Sequence, residues 1–286
     1  MQRRGPAWTA VLCAGAAALC GCASGSKARA IFAQAERTVI TVRAVIKVTA
    51  NGRDNENKVD IVGTVIDPSG LTVVPASALD PASAMRAVLR NRSGPEFKVE
   101  SSVSETTLVL ADGSELEADV LLKDEELDLA FLRPRQLDKP LAAAALAPPR
   151  SQPQLLDEVV VVGRYGRSVN RTPWLEVARV RALVKGPRPY LICSDASSEA
   201  LGSIAYSTDG ATLGLFVTHI GKDTDRAGRP VTVVLRAVED VIEVAEQAKK
   251  LKNPERKGEA AASPASPAPV PAAAPSSPAA TTPAKP

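Results

Sequence analysis

One histidine, His219, occurs among the 286 residues of this chain. It lies in the run Phe216-Val217-Thr218-His219-Ile220-Gly221 and is the one side chain whose ordinary pKa suits proton transfer near neutral pH. Serines that such a base could activate stand just upstream, at Ser197, Ser198 and Ser203 within the stretch Ser194–Leu215. A serine hydroxyl attacks a carbonyl only beside a base and with donors aimed at the developing oxyanion, so hydrolysis here requires the fold to bring three groups together. The carboxylates Asp60, Asp67, Glu115, Glu117, Asp119, Asp124, Glu125 and Glu126 lack the spacing of a calcium loop. No Cys/His cluster has metal-ligand spacing and no glycine loop has the pattern that cradles phosphate, so neither a metal nor a cofactor is expected. Cys193, in the apolar run Tyr190–Cys193, reads as a small buried hydrophobe and not as a reactive thiol.

The segments that would position these groups read as short strands. Thr38–Ala50 is rich in β-branched residues, Val59–Ile66 follows the polar turn opened by Asn51-Gly52, and Leu71–Val74 follows the turn Asp67-Pro68-Ser69-Gly70. Ala76–Leu79 has room for one helical turn. Strands are expected within Phe97–Leu110, then across Asp112-Gly113 in Glu115–Lys123, and in Leu127–Arg133. An alanine run with Pro148, Pro149 and Pro153 marks a boundary, after which the cadence restarts: Glu158–Val162, Trp174–Val184, Tyr190–Cys193, Gly202–Ser207, Thr212–Thr218 and Pro230–Leu235. Turn signals every eight to twelve residues, without alternating helices, point to an all-β barrel or sandwich built as two units of similar size. Trp174, Tyr190 and Tyr206 are expected in its core. Val238, Val241, Ile242, Ala245, Ala248 and Leu251 recur at three and four, so Arg236–Lys252 is expected to be an amphipathic helix. A shorter helix is expected to lead the domain over Ala28–Arg37.

The two ends are of different character. Arg3 and Arg4 precede an apolar run, Ala7–Leu19, that is too short to be a permanent membrane span. The segment closes on Leu19-Cys20-Gly21-Cys22, which resembles the bacterial lipobox. That resemblance implies a signal peptide over 1–21, lipid on Cys22, a tether over 22–30, and anchoring by acyl chains in the cell envelope. Ala23, where sorting to the inner membrane uses aspartate, implies the outer membrane facing the periplasm. Removal of Arg3 and Arg4 would lower the formal charge from +3 to +1. The basic pI of 8.7 is therefore no sign of a nucleic-acid partner, and no basic stripe with interleaved aromatic residues is present. With Cys13 and Cys20 leaving and Cys22 lipidated, Cys193 would stand alone, and burial must hold the fold without a disulfide. From Gly258 to Pro286 the chain is almost all Ala, Pro, Ser and Thr, and a disordered tail is expected over 253–286.

Several blocks resemble the protease domain of HtrA-type, trypsin-like serine proteases over roughly Phe32 to Glu246. Val62-Gly63-Thr64-Val65-Ile66 and Gly70-Leu71-Thr72-Val73-Val74 are similar to the family's Ser-Gly-Phe-Ile-Ile and Gly-Tyr-Ile-Leu-Thr. Asp112–Ala118 is similar to Asp-Gly-Arg-Glu-Tyr-Asp-Ala, and Leu127–Leu132 to Thr-Asp-Leu-Ala-Val-Leu. Val159–Gly163 with Gly166 is similar to Val-Val-Ala-Ile-Gly-Asn-Pro-Phe-Gly, and Asp195-Ala196 with Asp209-Gly210 frames the family's nucleophile loop. The one extra segment falls near Met85–Ser104. The resemblance implies a trypsin-like double β-barrel of two six-stranded barrels with a cleft between them, barrel one over about 38–140, barrel two over about 155–235, a helix over 236–252, and one domain spanning 31–252.

The same resemblance assigns the catalytic positions and finds them changed. The general base position holds Ser77, where the family continues Asn-Asn-His-Val-Val. The orienting carboxylate is kept as Asp128. The nucleophile position falls on Leu201, which has no lone pair to offer, and a serine is too weak a proton acceptor to replace histidine. Glu199 stands at the glycine of the oxyanion hole, and Ser203 and Ile204 replace the glycine and proline that follow the nucleophile. The resemblance also places His219 on the strand lining the substrate cleft. The chain is thus expected to be a catalytically inactive homologue, a pseudoprotease, that uses the cleft to hold a protein or peptide partner. Strand addition needs only an open edge and pockets. The alternative is a working serine endopeptidase of that class with a rearranged site, and a further one is a β module of other topology.

Overall fold

The computed structural model describes residues 18–50, 53–83, 99–194, 198–220 and 231–254. The side chains of 18–24 and of residue 50 are outside that description, as are the Asn51-Gly52 turn, most of the extra segment near 85–104, Asp195, Ala196, Ser197 and the Ala/Pro tail.

Helix α1 spans Ala18–Ala35, and β1 (Val39–Ala50) and β2 (Arg53–Val65) form a long hairpin. β3 (Thr72–Pro75), the single turn α2 (Ala76–Leu79), β4 (Val99–Val109), β5 (Glu115–Asp124) and β6 (Leu129–Pro134) complete the first unit. All of its pairings are antiparallel, and the strands close in the order β1-β2-β3-β6-β5-β4. The second unit holds β7 (Glu158–Arg164), β8 (Pro173–Val184), β9 (Tyr190–Cys193), β10 (Ile204–Ser207), β11 (Thr212–Ile220) and β12 (Val231–Ala237). It closes as β7-β8-β9-β12-β11-β10, which is the order of the first barrel repeated. Two closed six-stranded barrels are therefore present, as the resemblance implied. Closure removes the free edges that a pair of open sheets would expose.

Alternation along the strands accounts for the interiors. Ile40, Val42, Ala44, Ile46, Leu108 and Leu132 fill barrel one, and Val159, Val161, Val180, Ala205, Phe216 and Leu235 fill barrel two. A third cluster lies between the barrels, where Val73 and Phe131 of the first meet Val160, Val162, Ile204, Leu215 and Val217 of the second. Both helices pack into it. Ala28, Ile31 and Ala35 recur on one face of α1, and Val241, Val244, Ala245 and Ala248 on one face of the C-terminal helix α3 (Val238–Lys250). Each buried valine contributes about 2 kcal/mol by leaving water. The expected helix over 236–252 is shorter, because Arg236 and Ala237 close β12 and Leu251 is exposed; Val238, Val241, Ala245 and Ala248 are buried as expected, while Val244 takes the buried place in preference to the half-buried Ile242. At its far end the Arg133 guanidinium donates to the carbonyls of Ala248, Lys249 and Leu251, closing the helix C-terminus with a cation from barrel one. Among the described residues, no helix is long and apolar enough to cross a membrane.

A second arginine ties the start of the domain to barrel two. Arg164, at the end of β7, is 8% exposed. Its Nε donates to the Val39 carbonyl at 2.8 Å, Nη1 to Arg171 at 2.7 Å and Nη2 to Glu36 at 2.9 Å. These carbonyls belong to the start of β1, the β7–β8 connection and the end of α1. Burial lowers the pKa of the guanidinium, opposed by Glu36. In Arg164→Met the carbonyls lose their donors in a site too tight to hydrate freely, and we expect a loss of about 3 kcal/mol in chemical denaturation. Arg164→Lys should recover only part of it, because one ammonium cannot span three carbonyls in a fixed plane.

Candidate functional site

Asp128 closes the turn that leads into β6 and adopts a left-handed backbone, φ 57°. That conformation turns its carboxylate back beneath α2. One oxygen accepts the Ser77 amide at 2.6 Å; the other accepts the Ser77 hydroxyl at 3.0 Å and the Thr218 amide at 2.6 Å. Ser77 begins its contact from α2 in barrel one and Thr218 from β11 in barrel two, so this carboxylate joins the barrels at the cleft. Asp128 is buried, and desolvation raises its pKa, opposed by the hydrogen bonds from Ser77 and Thr218.

A cavity of about 400 Å³ opens over this pair. Ser77, Asp128, Thr218, His219 and Ile220 line it, and Asp80, Glu125, Glu126 and Lys123 form its charged rim. The structure therefore brings together three of the residues singled out from sequence: Ser77, Asp128 and His219. The His219 ring packs on Tyr190 with centroids 4.9 Å apart, and the buried Arg236 guanidinium lies 5.4 Å from the Tyr190 ring centre on β9. Desolvation first, and the Arg236 charge second, lower the His219 pKa below the ordinary imidazole value. Among the described residues, His219 makes no side-chain hydrogen bond to a serine. Ser203 is fully buried, beside Gly163 and Trp174, and Ser198 lines a different hollow.

Leu201 lies on the other side of Pro75–Ala78. It lines a hollow of about 460 Å³ with Val62, Pro75, Ala78, Tyr165, Trp174 and Glu199. Ser198–Ala200 form one turn of 3-10 helix, and the Leu201 amide donates back to the Ser198 carbonyl at 3.3 Å. Gly202 then passes against barrel one at φ 81°; a Cβ there would sit 2.0 Å from the Val62 carbonyl oxygen, so only glycine fits. Cys193 is buried and its thiol is pushed up to about 11 by desolvation, which leaves it unreactive. The backbone of Cys22 falls within α1, which also runs through the segment read from sequence as a tether.

Sequence reasoning did not single out Thr218 or Asp80 for this site. Neither carries a local signal: each reaches the cavity through pairing between segments far apart in the chain. Tyr190, expected in the core, is half-buried and supplies a wall for His219.

The lowered His219 pKa has a measurable sign. The folded state binds less proton at this imidazole than the unfolded chain, so stability falls as the pH drops below about 6.5. We expect the one histidine resonance in NMR to titrate below the peptide value. His219→Gln should remove that part of the acid-limb loss in denaturant midpoints.

Residues 33–215 match the profile of the trypsin-like peptidase domain. No curated protein matches the chain. With that span covering more than half of the sequence, and with two barrels of repeated order meeting at a buried carboxylate, the chain belongs to the family of trypsin-like peptidase domains.

Proposed function

We propose that this trypsin-like peptidase domain does not hydrolyse peptides, and that it serves in the bacterial envelope as a lipid-anchored binding or structural protein. The observation that carries the reading is the occupancy of Asp128. In a working triad this carboxylate orients an imidazole. Here its oxygens take the amide and hydroxyl of Ser77 and the amide of Thr218. A serine so placed satisfies the buried acid and cannot act as base toward an attacking group. Leu201 and its inward-folded amide support the same reading, because neither an attacking oxygen nor a free donor stands at that point.

The cleft retains what a binding role needs. Phe216 exchanges bonds with Gly202 and Ser203, and the Thr218 amide turns to Asp128 on that same side of β11. Alternation then directs the amide and carbonyl of Ile220 to the cleft as well, beyond the reach of β10. An extended segment can pair with this edge. Anchoring rests on the lipobox-like Leu19–Cys22, with lipid on Cys22 and the domain held at the outer membrane facing the periplasm.

A serine-directed fluorophosphonate should leave the purified protein without a covalent adduct by intact mass. An adduct, together with cleavage of an unstructured protein substrate, overturns the reading in favour of a rearranged endopeptidase. For the cleft, Ile220→Pro removes the amide that an added strand would use. It should weaken capture of extended peptides from a random library by about tenfold.

A further inference from the structure

The course of α1 relates one end of barrel two to its N-terminal side. Its last turn is held at the inter-barrel end of β7, where Arg164 bonds the Glu36 carbonyl. Five residues earlier, Ile31 lies against the β10–β11 turn, 3.9 Å from where a Cβ on Gly210 would stand. The helix therefore leaves the barrel past that turn. Gly25 is the half-buried residue nearest to the helix start among those with described side chains, and at 1.5 Å per residue Cys22 lies only about 5 Å further along the axis.

The same end of the barrel exposes large apolar side chains. Leu156 lines a hollow there with Ser207, Thr208 and Asp209. Leu155 is 57% exposed and Leu156 72%, and Leu156 adopts φ 72°, a left-handed backbone that leucine rarely takes. Its amide donates to the Val180 carbonyl, which fixes this loop beside β8. β8 continues past the last β7 pair, Glu158 with Arg179, and carries the exposed Leu183. Neither core packing nor solvent favours a strained, exposed leucine, so the conformation points outward to a partner.

Charge identifies that partner. This end carries the exposed cations Lys27 and Arg29 on α1 and Arg150, Arg179, Arg181, Lys185 and Arg188 on the barrel, against Asp157, Glu158 and Asp209 and, at the start of α3, Glu239, Asp240 and Glu243. Most of these carboxylates are engaged locally: Asp157 accepts the Gln154 amide, Asp209 the Ser207 hydroxyl, Glu158 pairs with Arg179, and Asp240 and Glu243 pair with Arg188. Arg181 and Lys185 have no carboxylate partner among the described residues. A second copy would meet like charge across so small an apolar patch.

We propose that this end of barrel two, formed by Leu155, Leu156, Leu183, Arg181 and Lys185, rests on an anionic lipid surface. The inference depends on the lipid anchor at Cys22 proposed above, and it adds an orientation: the leucines enter the headgroup layer while the cations meet phosphate.

The test uses the full chain expressed in a bacterium that acylates lipoproteins, with the modification checked by mass spectrometry. Leu156→Cys, Leu183→Cys and, as a control on the cavity rim, Glu125→Cys each receive an environment-sensitive dye; the buried Cys193 stays unlabelled. In vesicles of phosphatidylethanolamine and phosphatidylglycerol containing brominated acyl chains, the dyes at 156 and 183 should be quenched and that at 125 should not. Quenching should fall by about threefold in vesicles of phosphatidylcholine alone. Acylated protein with equal quenching at all three sites, or quenching indifferent to headgroup charge, overturns the orientation and leaves the anchor standing. A chain that carries no acyl group overturns the anchor, and the orientation with it. Shielding of position 156 from aqueous iodide that rises with protein concentration at fixed detergent assigns the patch to a second copy and also overturns the proposal.

Discussion

A buried guanidinium is costly unless its donors find acceptors, and Arg164 places three of them on main-chain oxygens. The three carbonyls come from an N-terminal helix, a strand of the first barrel and a hairpin of the second. Each barrel closes by its own ladders, so nothing in either ladder dictates how one sits against the other. That relation comes from the apolar cluster between them and from polar ties such as this one. Gly202 supplies a further tie, bringing the loop after the 3-10 turn into contact with Val62. The cleft keeps its shape because these contacts do.

Asp128 reads as the counterpart of Arg164 with opposite charge. Both are buried, both join the barrels, and both are met by backbone groups; Asp128 faces the cavity over Ser77, and Arg164 the hollow beside Leu201. A carboxylate retained at this position has a structural reason to persist that is independent of catalysis, because it accepts amides from α2 and β11 together. Ser77 fits that reason: its hydroxyl is short enough to stay over the acid and polar enough to leave no acceptor bare. His219, the penultimate residue of the paired strand, then lends the cavity an aromatic wall through Tyr190 more than a proton carrier.

Much of this architecture was legible in the sequence. Asp112-Gly113 and Asp209-Gly210 mark hairpins whose strands appear where alternation places them, and the Pro-rich stretch after the alanine run separates the barrels. The misses have local causes. Arg53–Lys58 reads as a polar turn region, yet β2 begins at Arg53 because the backbone pairs with β1 while its side chains stay in water. The leading helix begins earlier than Ala28, since alanine and leucine favour helix whether or not a segment is also a leader. The role of Arg164 left no trace, because carbonyl acceptors have no residue type. The link between Ser77 and Asp128 spans 51 residues, and only the family resemblance placed the two together.

Helix α3 has a consequence for how the protein is made. α3 is the last-made element of the described domain, and it covers apolar surface that barrels made earlier leave open, with Arg133 of the first barrel holding its end. Until α3 docks, the strands of both barrels are in hand but the seam between them lacks its lid. The native arrangement must wait until residues near 250 have reached the compartment where the domain folds, and a chain interrupted short of that point would carry a sticky groove that quality-control factors could recognise.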